Sequence, residues 1–390
     1  MGEFDTRINR RGTHSVKWDM HPEEDLLHLW VADMDFAAPK PIQDALRQRA
    51  EHGVFGYTIV GDSVREAIME WMKKRHNWSV AKGSISFLSG VVPALSLAVQ
   101  AFTKPKDRIL VQPPVYTPFF DMVTRNDRQA VLNPLSQDGQ YKMDFVHLEK
   151  QFQQGVSMMI LCSPHNPVGR VWTKEELETV GELCQTYDVL VVSDEIHSDL
   201  ILPGYVHTPL ASLSPSLSNR TVTCIAPSKT FNIAGLQAAA VIIENEQLRE
   251  RFSAVMHQQG FHTLNVFASA AMQAAYTECE SWLEDLLLYL NKNIEFACTY
   301  IEKEIPALKA YHPEGTYLLW VDCSKLQLSK EERLELLKER GRIIVEPGEK
   351  FGQGGEGFIR MNLGCPRSML EEALIGLKEA VYFHIRNAKA

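Results

Sequence analysis

The 390-residue chain contains no unbroken apolar run of about 18 residues, the length a membrane-crossing helix needs. Its opening residues, MGEFDTRINRRG, lack the apolar core of a secretory leader. Gly2 and Thr6 fit the Met-Gly-x-x-x-Ser/Thr acylation pattern, but a pattern so short recurs by chance. Basic residues do not predominate: 40 Lys and Arg against 49 Asp and Glu leave a net charge of −9. A phosphate-seeking surface is therefore not expected, nor is nucleic acid as a partner. Cysteine is scarce. The seven, at 162, 184, 224, 279, 298, 323 and 365, are odd in number and never spaced C-x-x-C. That pattern suggests neither a disulfide framework nor a zinc knuckle, and it leads us to expect a cytoplasmic protein with reduced, packed thiols.

Repeats, low-complexity tracts and Ser/Gly linkers are also missing, so a second domain would have to be woven from non-adjacent segments. What is present is ordinary for a globular chain: 45% apolar and 23% charged residues exclude collagen, coiled coil and disorder. At about 150 residues per domain the length suggests two domains. The middle of the chain alternates short apolar runs with amphipathic stretches. SISFL (84–88) precedes PALSLAVQAF, RILVQ (108–112) precedes TPFFDMVTRN, and MMILC (158–162) precedes KEELETVGELCQTY; VLVVSDE (189–195), TVTCIA (221–226) and AAAVII (238–243) follow. This rhythm predicts an α/β fold around a mainly parallel sheet with both faces covered. Thr173 and Glu176 form a capping-box pair ahead of a helix expected over Lys174–Tyr187. Helices mixed with strand-like YLLWVD (317–322) and RIIVE (342–346) suggest an α+β lobe.

In an open α/β sheet, ligands gather beyond the carboxyl ends of the strands. After SISFL comes Ser89-Gly90-Val91-Val92 and a helix, a turn that suits a phosphate but resembles many other turns. MMILC leads into Ser163-Pro164-His165-Asn166-Pro167, where prolines on both sides of Asn166 either fix its direction or form a plain turn. Asp194 and Glu195 end a strand that should be buried, with His197 just beyond. A carboxylate there calls for a cation. A metal held by Asp194 and His197 lacks further ligands at a recognisable spacing, and no metal is expected. Lys229, between Pro227 and Gly235, is either a surface lysine or an amine made nucleophilic by desolvation. Residues 348–357 read as a mobile glycine-rich loop running into a strand with one guanidinium, Arg360, suited to gripping a carboxylate.

The order of these features, turn glycine, proline-flanked Asn, strand-end Asp, strand-end Lys and late Arg, resembles that of fold-type I pyridoxal-phosphate enzymes. The chain is similar over nearly its whole length to the class I/II aminotransferase superfamily, and most specifically to its MalY/PatB-type cystathionine β-lyases. The stretches that carry this likeness are SVKWD (15–19), LWVADMDF (29–36), HGVFGYT (52–58), QPPVYTPF (112–119), SPHNPVGRVW (163–172), VVSDEIHSDL (191–200), APSKTFNIAGLQ (226–237) and EPGEKFGQGGEGFIRMNLGCP (346–366).

The resemblance implies a large domain over residues 45–288 and a small discontinuous one over 1–44 and 289–390. It implies pyridoxal 5′-phosphate on Lys229, which would also be the catalytic base, with Asp194 at the ring nitrogen, Asn166 at the phenolic oxygen and Tyr116 against the ring. Gly90, Val91, Val92 and Ser228 would hold the phosphate. Tyr57 would reach the neighbouring subunit's phosphate and substrate, so a homodimer is implied. Arg360, with the backbone of Ala32 and Asp33, would receive the substrate carboxylate. Two positions depart from the broad aminotransferase pattern: Gln237 stands where many relatives carry an arginine, and His197 where they carry a tyrosine. The implied activity is carbon–sulfur β-elimination from a small sulfur amino acid such as L-cystathionine. An aminotransferase and a regulatory binding protein on the same scaffold are the rival readings.

Overall fold

The computed structural model describes residues 2–387. Seven strands form the central sheet: β1 (Ile85–Leu88), β2 (Arg108–Val111), β3 (Gln129–Leu132), β4 (Val156–Cys162), β5 (Leu190–Asp194), β6 (Thr221–Ile225) and β7 (Ala239–Ile242). Their order is β1-β7-β6-β5-β4-β2-β3. All neighbours are parallel except β7, which runs antiparallel to β1 and β6. β6 is buried at every position, as a strand covered on both faces must be.

Alternation along β4 shows how the layers are made. Met158, Ile160 and Cys162 pack with α3 (Val91–Phe102), α4 (Pro118–Arg125) and α7 (Glu246–Gln258). Met159 and Leu161 face the opposite way, onto α5 (Phe145–Gln153) and α6 (Lys174–Thr186). The box expected at the start of α6 is formed: the Glu176 amide donates to Thr173 Oγ1 (3.2 Å) and the Thr173 amide to Glu176 Oε2 (2.9 Å). A third cluster joins α1 (Lys40–Glu51), α2 (Asp62–His76) and α8 (Val266–Glu278) to the β1–β7 edge.

A second, wholly antiparallel sheet lies in the C-terminal part, where β8 (Lys309–Tyr311), β9 (Leu318–Asp322), β10 (Glu346–Pro347) and β11 (Phe358–Asn362) take the order β8-β9-β11-β10. Its apolar face meets α9 (Glu280–Glu304) and α11 (Arg367–Asn387) in a separate core cluster, with α10 (Lys330–Glu339) alongside. RIIVE, which reads as one strand, is split: Ile343–Ile344 pairs in parallel with Leu27–His28, whereas Glu346–Pro347 joins β11. Pro347 has no N–H with which to continue a ladder. The glycine-rich loop after it is compact: its start is a 3-10 turn over Gly348–Phe351, and a methyl group at Gly355 would collide with the Gly348 carbonyl.

Candidate active site

Parallel register brings Cys162, Asp194 and Cys224 side by side at the carboxyl ends of β4, β5 and β6. The turn after β6 starts the short helix Pro227–Thr230, which carries Lys229 to the same edge. A cavity of about 390 Å³ opens there. Its wall includes Ala32, Gly90, Val91, Val92, Tyr116, Asn166, Asp194, His197, Ser228, Lys229 and Arg360. Of the residues singled out from the sequence, Tyr57 and Asp33 are not in that wall. Tyr57 is fully exposed on the irregular stretch between α1 and α2. Asp33 lies just behind the lining, its carboxylate accepting from Arg10 at 2.9 and 3.1 Å and its carbonyl from Lys17 at 3.1 Å.

One end of the cavity is an anion cradle. Gly90, extended at φ 173°, precedes α3, whose first amides have no partner within the helix. Pro93 in the same turn has no N–H to leave unsatisfied. The free amides of Gly90, Val91 and Val92, with the Ser89 and Ser228 hydroxyls nearby, suit a phosphate. Gln237 lines the same cavity in left-handed backbone (φ 56°) and adds no charge.

Deeper in the cavity stands Asp194, whose Oδ1 accepts from the Ile196 amide at 3.2 Å. Burial pushes its carboxyl up to about 7, against the pull of that hydrogen bond and of Lys229. A carboxylate so placed requires a cation to stay ionised. Burial likewise brings the Lys229 amine down to about 8, with Arg360 pulling the same way and Asp33 and Asp194 opposing. Lys229 Nζ donates to the Ala32 carbonyl at 2.7 Å, which also accepts from Tyr317 Oη at 2.9 Å. His197, enclosed by protein, is lowered to about 3 by burial and then by the positive Lys229 and Arg360. It is therefore a neutral imidazole, and its Nδ1 is buried without a partner.

Opposite stands Arg360 on β11, 4% exposed. One nitrogen donates to Asn166 Oδ1 (3.1 Å) and another to the Trp30 carbonyl (2.8 Å), while Nε is buried with no partner. A guanidinium with such a donor to spare would suit a carboxylate. Glu346 shares this wall, 3.8 Å from Arg360 and 2.6 Å from Lys350.

Trp30 and Glu346 also line the cavity, and Tyr317 and Asn232 brace it; nothing local in the sequence marks these four for the site, although all but Tyr317 lie within motifs quoted for the family likeness. Among the described residues no cluster of three or more His, Cys, Asp or Glu is arranged to hold a metal ion.

The donor set fits pyridoxal phosphate. An amine with a lowered pKa stands near a buried acid that needs a cation, and free amides cap the phosphate end. When bound, that cofactor supplies an aldehyde for an amine and a protonated ring that withdraws electrons from the α-carbon of an amino acid. The chain supplies the rest. Asp194 would keep a ring nitrogen protonated, Lys229 would hold and move a proton, and Arg360 would orient a carboxylate.

Fold and site together define a pyridoxal-phosphate enzyme of fold type I. The family model described as aminotransferase class I and II matches residues 24–377, and the chain belongs to that family. It is 49% identical to the cystathionine β-lyase PatB of Bacillus subtilis over 384 residues, 97% of this chain and 99% of that protein. The crystal structure of cystalysin from Treponema denticola, which contains pyridoxal 5′-phosphate, superposes with a TM-score of 0.95 at 37% identity, covering 98% of this chain and 99% of that one. The pyridoxal-phosphate-bound C–S lyase of Staphylococcus hominis gives 0.92 at 34%, covering 98% of each. The MalY/PatB likeness read from the motifs is thereby borne out.

Proposed function

We propose that the protein is a pyridoxal-phosphate-dependent carbon–sulfur β-lyase that cleaves L-cystathionine and related S-substituted cysteines. One observation carries the reading: Lys229, Asp194 and Arg360 all line one cavity. The substrate's carboxylate is held by Arg360, and Lys229 removes the α-proton. The Cβ–S bond then breaks with its electron pair on sulfur, and the thiolate, whose parent thiol has a pKa of about 8.5, departs without a strong acid. Water converts the remaining three-carbon fragment to pyruvate and ammonia. Adding L-cystathionine alone tests this. Equal amounts of pyruvate and homocysteine without any 2-oxo acid are expected, whereas product only on adding an oxo acid would show an aminotransferase.

The homodimer with shared sites belongs to this reading. Val54, Phe55, Tyr57 and Ile59 all expose more than half of their surface, a poor arrangement for a lone chain. Tyr57 on this stretch reaches the partner's phosphate and substrate. The seven cysteines are all unpaired, which supports the cytoplasm as its compartment. The division into a 45–288 domain and a 1–44/289–390 domain is part of the same proposal, supported by the separate cluster behind the antiparallel sheet. Size measurement in solution and Tyr57→Phe assays check the shared site.

A further inference from the structure

The stretch from Leu29 to Phe36 has no helix or strand, yet it forms the Trp30–Ala32 wall of the cavity. It is tied to the antiparallel sheet by Asn362, whose Nδ2 donates to the carbonyls of Val31 and Asp33 at 2.6 Å each, and by Tyr317 through Ala32. Its tie to the other side of the site is different. Asn232, three residues past Lys229, accepts from the Met34 amide through Oδ1 (2.9 Å) and donates through Nδ2 to the carbonyls of Met34 and Phe36 (2.8 Å each). Apart from the bond made by Lys229 itself, these are the hydrogen bonds found between the 229–236 turn and this stretch among the described residues.

Asn232 also takes a left-handed backbone, φ 56°, a region that asparagine tolerates better than most residues. Its side chain thus fills both hydrogen-bonding roles of one amide against a peptide strand, as a ladder partner would. Lys229 to Ala32 and Asn232 to Met34 and Phe36 make a two-point latch.

Resting on the lyase reading above, we infer that Asn232 is a positioning residue that keeps the Ala32 carbonyl on the Lys229 amine, fixing where that amine holds its proton whenever it is free of the cofactor. A carbonyl accepting from an ammonium favours the charged form, so loosening the latch makes the amine easier to deprotonate. The other charged groups facing Lys229 are Asp33, Asp194 and Arg360, with neutral His197 beside them. None of these bonds to Asn232, so their influence persists when it is changed.

The test uses the full chain freed of cofactor. Capture of pyridoxal phosphate is followed against pH and trapped with borohydride. Asn232→Gly retains the left-handed backbone and deletes the latch. Its capture midpoint should move to lower pH by about half a unit or more, and kcat should fall about 10- to 100-fold, with one cofactor still trapped per chain. Asn232→Ser, too short to bridge, should reproduce the shift if the glycine variant folds poorly. A midpoint unmoved in a folded variant overturns the inference whatever happens to thermal stability. Failure of the unaltered chain to trap cofactor at Lys229 would instead overturn the lyase reading, so the two failures are separable.

Discussion

The two walls of the cavity are built by opposite means. Asp194 and Lys229 stand at or just beyond the ends of parallel strands, where backbone ladders fix each Cα and the side chain has little choice. The 29–36 wall has no ladder of its own and is held by buried side chains. Lys17, wholly buried, pairs with Asp35 at 2.6 Å, which also accepts from Arg10 and Trp18 at 2.8 Å each. Removing one partner from a buried ion pair costs far more than the pair contributes to stability. The first wall is therefore robust as a frame and vulnerable in its chemistry; the second is the reverse.

The difference can be broken most severely at Lys229. Lys229→Ala should abolish turnover and borohydride-stable cofactor while leaving the unfolding midpoint of the cofactor-free chain near that of the unaltered protein. Activity retained in that variant would refute the assignment. In the antiparallel sheet, outside both walls of the comparison, Arg360→Lys replaces a two-pronged donor with a point charge. A drop in kcat/KM of about 100-fold, mostly in KM, is expected for L-cystathionine. Lys17→Met should leave the remaining turnover of folded enzyme little changed and cost about 3 kcal/mol in urea unfolding, because Asp35 loses a buried partner.

A milder probe is pH. Asp194 has a folded pKa of about 7 against an ordinary 3.8, so the folded cofactor-free chain binds its proton more tightly than the unfolded chain does. That contribution to stability is present below about 4 and fades as pH rises to about 7. Lys229, brought down to about 8 from 10.5, acts in the other direction: its penalty is full below about 8 and is relieved as pH climbs to 10.5. A bound cofactor would give Asp194 its cation and remove the first loss. The gap in Tm between loaded and cofactor-free protein should therefore widen from pH 4 to pH 7; a constant gap would show that Asp194 does not meet the ring.

Legibility in the sequence follows the same division. Strand-end groups could be read because a continuous apolar run announces a buried parallel strand, and the next polar residue must lie at its end. Asp194, Asn166 and Lys229 were accessible in this way, and the capping box placed α6 to within a residue. The 29–36 wall has no periodicity to read, and family likeness alone pointed to Ala32. Asp33 was expected in that wall, but a strand-free segment gives no rule for which peptide faces inward. Its partners are Arg10 and Lys17, and those contacts cannot be inferred from spacing. Asn232 left a faint signal, an asparagine close behind the lysine, though nothing local revealed that its amide would bridge to residues nearly two hundred positions earlier.

Asn362 closes the molecule in a way that bears on biosynthesis. The peptide groups it grips, at Val31 and Asp33, are translated early, and Asn362 itself late. The wall of the pocket at Val31 and Asp33 is therefore pinned only once the last strand of the antiparallel sheet has been made.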